Sequence, residues 1–227
     1  MSGLLIGMAW LLTTVLVYAL CRALHQRLGR PAWLLPVLPT LVVLITLVVA
    51  LDAGMEAYAA GTWPLHFLLG PATVAIAVPL FSATARLLPV LWPALGALLV
   101  GCAVGIGSAV GLAWLLGLSG DTLLSLAPRA VTTPIAIGIS ERIGGIPALT
   151  ALVVIVSGVI GAVVAPPLLR AFGIRDPRVQ GLAIGTAAHG IGTAQAFELS
   201  PEAGAFAGLA MGLNGALTAL LLGALLV

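Results

Sequence analysis

Apolar residues run through this chain in long stretches that polar residues interrupt at only a few places. A helix needs about 20 consecutive apolar residues to cross the hydrocarbon core of a membrane. Five stretches approach or exceed this length: 3–20, 33–51, 66–84, 89–116 and 148–169. Two further segments, 122–142 and 181–214, are apolar but irregular. The pattern predicts an all-α polytopic membrane protein with about seven or eight hydrophobic segments, some of them interrupted or re-entrant.

The segment 127–147 is the most polar one among the apolar stretches of the chain. It contains Pro134 inside a cluster of polar residues: Arg129, Thr132, Thr133, Ser140, Glu141 and Arg142. Proline has no N–H and disfavours helix at the preceding residue, so a helix must end or begin again here. Hydrocarbon cannot satisfy the backbone groups that such a break frees, which places the segment against protein or a watery cavity. The alternative is a kinked helix that serves only packing.

A second irregular element is predicted in 181–198, where four glycines in twelve residues surround three polar side chains. These are Thr186, His189 and Thr193. An ionisable group inside a membrane is a functional candidate, although a lone histidine also occurs as a simple helix contact. Asn214, in the middle of the last span, fits a hydrogen bond between helices or a ligand contact equally well.

A weaker copy of the first irregular pattern occurs in 66–84. Pro71 and Val74 match Pro128 and Val131 at an offset of 57 residues, and Pro79 falls two places beyond Pro134 on the same offset. Interrupted helices in duplicated halves are common in transporters, so we expect repeat halves of about 1–118 and 119–227 within one membrane domain, 1–227. A chance match between two proline-containing apolar runs is the alternative.

Composition supports the membrane class. Hydrophobic residues make up 61% of the 227 residues and charged residues 7%, and the mean hydropathy is +1.23. A formal charge of +2, without a dense basic run, argues against nucleic acid as a partner. Cys21 and Cys102 are too few for a disulfide framework or a metal site, so we expect no metal and no cofactor.

The charged residues predict an orientation. Basic residues cluster in 22–30 and again in 170–178, and such clusters mark cytoplasmic loops. The N-terminus should then be external. Two cytoplasmic loops are separated by an even number of crossings, yet five apolar segments lie between these clusters. One segment should therefore be re-entrant, and 122–142 is the more polar candidate.

Four motifs resemble one family. They are PRAVTTPIA at 128–136, IGGIPALT at 143–150, GTAAHGIGTA at 185–194 and EAGAFAGLAM at 202–211. Together they are similar to the LrgB/CidB family of bacterial membrane proteins, and the resemblance covers essentially the whole chain. Relatives in that family include the chloroplast glycolate/glycerate translocator and holin-like or antiholin-like modulators of murein hydrolase. In this comparison, Arg129 stands where Lys is frequent and Gln195 where Arg is common, which removes one possible cation.

The resemblance implies a multi-pass protein of the bacterial cytoplasmic membrane that transports small carboxylates such as glycolate, glycerate, lactate or pyruvate. The residues we expect to bind substrate lie in the two irregular elements and the last span: Arg129, Thr132, Thr133, Pro134, Thr186, His189, Thr193 and Asn214. Glu141 and His189 are the candidates for proton coupling. The alternative is a holin-like or antiholin-like modulator of murein hydrolase export and autolysis. The resemblance also implies a small LrgA/CidA-type membrane partner and a homo-oligomer.

Catalysis is not expected, because Ser140, His189 and Asp176 show no spacing typical of a nucleophile, its base and an orienting acid.

The orientation can be tested with single cysteines placed in 22–30 and 170–178, after Cys21 and Cys102 are replaced. We expect an impermeant thiol reagent added to intact cells to leave both loops unlabelled, because both are cytoplasmic. Labelling of either loop from outside would reject this topology.

Overall fold

The computed structural model describes residues 2–31, 34–75, 81, 85 and 88–226. Within these residues the secondary structure is helical. The helices are α1 (Ser2–Arg27), α2 (Val37–Ala50), α3 (Met55–Ala75), a 3-10 turn (Leu88–Val90), α4 (Leu91–Leu115), α5 (Asp121–Leu126), α6 (Thr133–Ile143), α7 (Pro147–Ala171), α8 (Pro177–Leu199) and α9 (Pro201–Leu226).

Four of these described helical stretches are long and apolar enough to cross a membrane: Leu5–Arg27, Leu88–Leu115, Pro147–Ala171 and Pro201–Ala224. Their outward faces carry many exposed large apolar side chains, which is the surface that a lipid environment requires. The all-helical membrane class predicted from the sequence is confirmed. The number of seven or eight segments is not established by these spans and stays a prediction.

The chain forms two compact units, 1–75 and 76–227. In the first unit α1 and α3 pack closely. A Cβ on Gly61 would lie 2.9 Å from the Cα of Gly7, so small residues allow the two backbones to approach. Trp10 and Tyr58 then meet edge to face with ring centroids 5.4 Å apart.

In the second unit proline residues define where helices begin. Pro147, Pro177 and Pro201 are the first residues of α7, α8 and α9, a position where the missing N–H costs nothing. Between α6 and α7 the chain reverses at Gly144, whose φ of 84° is left-handed. These signals can be read directly from the sequence.

The tightest packing in the second unit joins α8 and α9. Gly181 and Gly185 face the backbone of Ala203 and Ala207, and a Cβ on either glycine would overlap a carbonyl oxygen of α9. Ala203, Phe206 and Ala207 are fully buried in this contact. The two helices therefore form a rigid hairpin against which the irregular parts of the unit are placed.

The predicted break in 122–142 is confirmed. Residues 127–132 form a turn between α5 and α6, with six residues in the first helix and 11 in the second. The predicted interruption of 66–84 is not decided by Pro71, which lies inside the helix α3. Pro79 and most of the segment after Ala75 fall outside the described residues. The single membrane domain and the internal repeat, with halves of about 1–118 and 119–227, therefore stay predictions.

Replacing Gly185 with alanine tests the α8–α9 contact. We expect Gly185→Ala to destabilise the protein by roughly 1–3 kcal/mol, because the new methyl group meets backbone that cannot move aside. Gly212→Ala in α9 is the matched control, since in the part of the chain that the structure describes nothing lies within 4 Å of its Cβ position. Thermal unfolding in one detergent compares the two variants. Equal unfolding temperatures for the two variants would contradict the close approach of α8 and α9 at Gly185.

Candidate functional site

The break between α5 and α6 is too short on both sides to be a membrane crossing. Six and 11 helical residues are about 9 and 16 Å long, against a hydrocarbon core of about 30 Å. Thr132 adopts an extended conformation directly before α6, and its side chain makes no cap to the helix. Within the turn, Arg129 N–H donates to the Leu126 carbonyl at 3.2 Å, and Val131 N–H to that of Pro128 at 3.3 Å.

Buried hydroxyl groups tie the two half-helices to α7. The Ser125 hydroxyl accepts from Ile146 N–H at 2.7 Å and donates to the Asp121 carbonyl at 2.5 Å. Thr150 Oγ1 lies 2.7 Å from Ser140 Oγ and 3.0 Å from the Ser125 carbonyl oxygen. Ser125, Ser140 and Thr150 are all fully buried. These hydrogen bonds hold α5 and α6 in fixed positions on either side of the break.

Asn214 connects the break to α8. Its side-chain amide nitrogen donates to the Ala130 carbonyl at 2.9 Å and to the Thr186 carbonyl at 3.2 Å. The residue is fully buried, and its Oδ1 has no hydrogen-bond partner among the described residues. The Ala130 carbonyl in the turn therefore accepts a hydrogen bond from a side chain. In a continuous helix a backbone N–H would have donated this bond. Of the two roles left open by the sequence, the structure shows the hydrogen bond between elements.

The second irregular element is a kink at His189. Its backbone has φ 39° and ψ −130°, outside the helical region, in the middle of α8. The His189 Nε2 lies 3.0 Å from the Val154 carbonyl oxygen of α7, which can only accept, so Nε2 donates. Thr193 Oγ1 donates to the His189 carbonyl at 2.8 Å. Gly158 makes room for the imidazole, since a Cβ there would overlap the ring.

A cavity of about 620 Å³ lies beside the break and is lined by α4, the turn and α8. Arg129 and Ala130 contribute the turn, and Gly101, Gly105 and Ser108 are among the residues of α4. Arg129 is half-buried, with its Nη2 at 3.5 Å from Ser108 Oγ. Among the described residues no carboxylate forms an ion pair with Arg129. An uncompensated cation therefore faces a mostly apolar space, which favours binding of an anion.

An ion pair stands at another part of the cavity lining. The Arg178 guanidinium donates to both carboxylate oxygens of Asp176, at 3.0 Å from Nε to Oδ1 and 2.6 Å from Nη2 to Oδ2. These hydrogen bonds and that of the Arg178 N–H lower the pKa of Asp176 from 3.8 to about 2. Because the folded pKa is the lower one, the pair's contribution to stability is present above pH 3.8 and is lost as pH falls through about 2.

The structure brings only some of the predicted residues together. Arg129 and Thr186 line the cavity, although the Thr186 hydroxyl donates to the Leu182 carbonyl. The other candidates are not among the lining residues: Thr132, Thr133, Pro134, His189, Thr193 and Asn214. Glu141 is exposed on α6. The described residues contain no cluster of three or more His, Cys, Asp or Glu side chains suited to a metal ion.

Sequence reasoning missed the contribution of Ser108, Asp176 and Arg178 to the lining. Asp176 and Arg178 were assigned to a cytoplasmic charge cluster, although the Asp-Pro pair is a typical helix start. The Asp176 side chain does accept from Arg178 N–H at 2.9 Å. Ser108 gives no local signal, because a single serine among small residues is ordinary in a membrane helix.

A family model and several known proteins match most of the chain. A model of the LrgB-like family matches residues 14–227. The uncharacterized protein YwbG of Bacillus subtilis (strain 168) is 39% identical over 218 residues, which is 94% of each chain. The antiholin-like protein LrgB of Bacillus cereus (strain B4264) is 36% identical over 183 residues, 79% of this chain and 80% of its own. No solved structure matches the chain significantly.

Asn214→Leu tests whether the amide holds the break in place. We expect a loss of roughly 1–3 kcal/mol in stability and faster hydrogen exchange in 127–132, because a buried carbonyl loses its donor. Thr218→Val, one helical turn later, is the control, since that hydroxyl makes only a 3.3 Å contact with the Cys102 sulfur. If both variants unfold at the same temperature and exchange alike, Asn214 does not secure the turn.

Proposed function

This chain belongs to the LrgB-like family, and we propose that it is an antiholin-like protein of the bacterial cytoplasmic membrane that modulates murein hydrolase export and autolysis. The observation that carries this proposal is its similarity, over 79% of its length, to proteins named antiholin-like protein LrgB. Four described helices long and apolar enough to cross a membrane support the membrane location.

An exposed face of α4 supports a membrane partner for this role. Gly107 and Gly111 are four residues apart on α4, and no described residue lies within 4 Å of the position of a Cβ on either. Small residues at this spacing let another helix approach its backbone closely. A small LrgA/CidA-type membrane protein is the partner we propose for this face, and a second copy of the chain is the alternative.

The cavity beside the broken helix favours a second candidate function, transport of small carboxylates. A protein that only forms or blocks lesions has no need of an internal cation. Here Arg129 faces a cavity without an ion-pair partner among the described residues. The guanidinium would bind a carboxylate through charge-assisted hydrogen bonds, beside a broken helix of the kind that many transporters use.

Proton coupling in this second function is proposed for His189 rather than for Glu141. His189 is buried at the kink of α8 and contacts α7 through the Val154 carbonyl. A second proton on its ring would introduce a charge among buried groups and so bias the kink between two arrangements. Glu141 is exposed on α6 and has no comparable connection to a break.

One set of strains tests both functions. In a strain whose own copy is deleted, the wild-type chain should slow lysis and reduce extracellular murein hydrolase activity, as expected of an antiholin-like protein. The same cells are assayed for uptake of labelled lactate and glycolate. Arg129→Ala should lower uptake at least tenfold, whereas Arg129→Lys should retain part of it because a cation remains. Membrane levels of each variant are measured by blotting.

The two readouts separate the candidates. Unchanged lysis on restoring the wild-type chain would contradict the antiholin-like role. Equal uptake in the wild type and a well-expressed Arg129→Ala variant would contradict carboxylate transport through this cavity. Loss of uptake with lysis control intact would show that the two activities are separate.

A further inference from the structure

The cavity beside Arg129 is larger and more apolar than a two- or three-carbon hydroxy acid requires. Its volume of about 620 Å³ lies in the range that holds drug-sized ligands. Most of its lining consists of hydrocarbon side chains and glycine, including Leu98, Val104 and Leu182. The Thr186 hydroxyl already donates to Leu182 O, and Ser108 Oγ lies 3.3 Å from the Gly105 carbonyl. These two hydroxyl groups could still accept a hydrogen bond, but elsewhere between α4 and α8 the hydroxyl group of a small hydroxy acid would meet apolar walls.

The cavity is elongated along two helices. On α4 the lining residues run from Pro93 to Ser108, a rise of about 22 Å at 1.5 Å per residue. On α8 they run from Arg178 to Ala187, or about 13 Å. Such a shape suits a chain-like ligand that lies along the helices.

Charge is distributed unevenly over this lining. Arg129 and Ser108 stand together at one end of the α4 lining. At the first turn of α8, Arg178 is neutralised by Asp176 in a two-point ion pair. Between them the described lining is apolar except for Thr186, whose hydroxyl donates to the Leu182 carbonyl. The cavity thus offers one uncompensated positive charge and a long apolar stretch.

We propose that this cavity binds amphipathic monocarboxylates that carry an unbranched hydrocarbon chain of medium length. The carboxylate binds Arg129, and the chain lies between α4 and α8 toward the Asp176–Arg178 pair. This inference rests on the second candidate function, carboxylate transport, and names its substrate class. The burial of each methylene against apolar walls supplies the added affinity.

Calorimetric titration of the full-length protein in lipid nanodiscs tests the chain-length dependence. Acetate, butanoate, hexanoate and octanoate are compared with glycolate and lactate, and 1-octanol serves as a control for partition into lipid. We expect the affinity of the straight-chain acids to rise roughly two- to fourfold per methylene. Arg129→Gln should remove saturable binding of every acid, and Arg129→Lys should retain part of it.

A variant that fills part of the cavity tests binding of the ligand's hydrocarbon chain separately from binding of its carboxylate. Ala97 lines the cavity on α4, and Ala97→Phe should lower octanoate affinity at least tenfold while acetate affinity stays within twofold. Ala103→Phe is the matched control, because Ala103 is exposed on the same helix outside the cavity. It should leave both affinities unchanged. Unfolding midpoints are recorded for all variants.

The outcomes distinguish the amphipathic substrate class from carboxylate transport, the function on which it rests. Binding of glycolate and lactate that depends on Arg129, without any gain from chain length, would overturn the amphipathic class and leave carboxylate transport standing. Octanoate binding that survives Arg129→Gln and equals that of 1-octanol would be partition into lipid and would overturn the inference. Absence of binding for every acid would overturn both.

Discussion

A chain that leaves the helical conformation inside a membrane must find hydrogen-bond partners for its backbone within the protein, and the second unit depends on this constraint. The turn at 127–132 meets it with groups drawn from distant parts of the chain. Asn214 of α9 donates to the Ala130 carbonyl, and Ser157 of α7 donates to the Arg129 carbonyl at 3.0 Å. Both bonds hold the backbone that directly follows the Arg129 Cα. The cation is therefore presented to the cavity by a fixed turn, rather than by a flexible loop.

Close packing by glycine makes these long-range bonds possible. Gly185 brings α8 against Ala207 of α9, which places Asn214 within reach of the Thr186 carbonyl. Gly158 admits the His189 ring to α7, where it bonds to Val154. The kink and the break thus share neighbours in α7, α8 and α9. The coupling of His189 to Arg129 that we propose for the second candidate function would act through these shared neighbours.

The sequence predicted local features better than the meeting of distant ones. Pro134 located the break, and the glycines around His189 located the kink, because both rest on backbone rules that act over a few residues. The sequence alone does not show in which direction the turn at 127–132 points each side chain. Thr132 and Thr133 were therefore expected beside Arg129 in the site, yet they do not line the cavity. In the weaker copy of this pattern Pro71 lies inside α3, and Pro79, the counterpart of Pro134, lies outside the described residues.

If an anion enters the cavity and binds the guanidinium of Arg129, it should shield that group from reagents. Modification of arginine by phenylglyoxal, followed by peptide mass spectrometry, measures this shielding directly in purified protein in nanodiscs. Arg142 is an internal control, because it is exposed on α6 and does not line the cavity. A saturating carboxylate should slow modification of Arg129 severalfold and leave the rate at Arg142 unchanged. Equal rates of modification at Arg129 with and without the carboxylate would contradict anion binding at this residue.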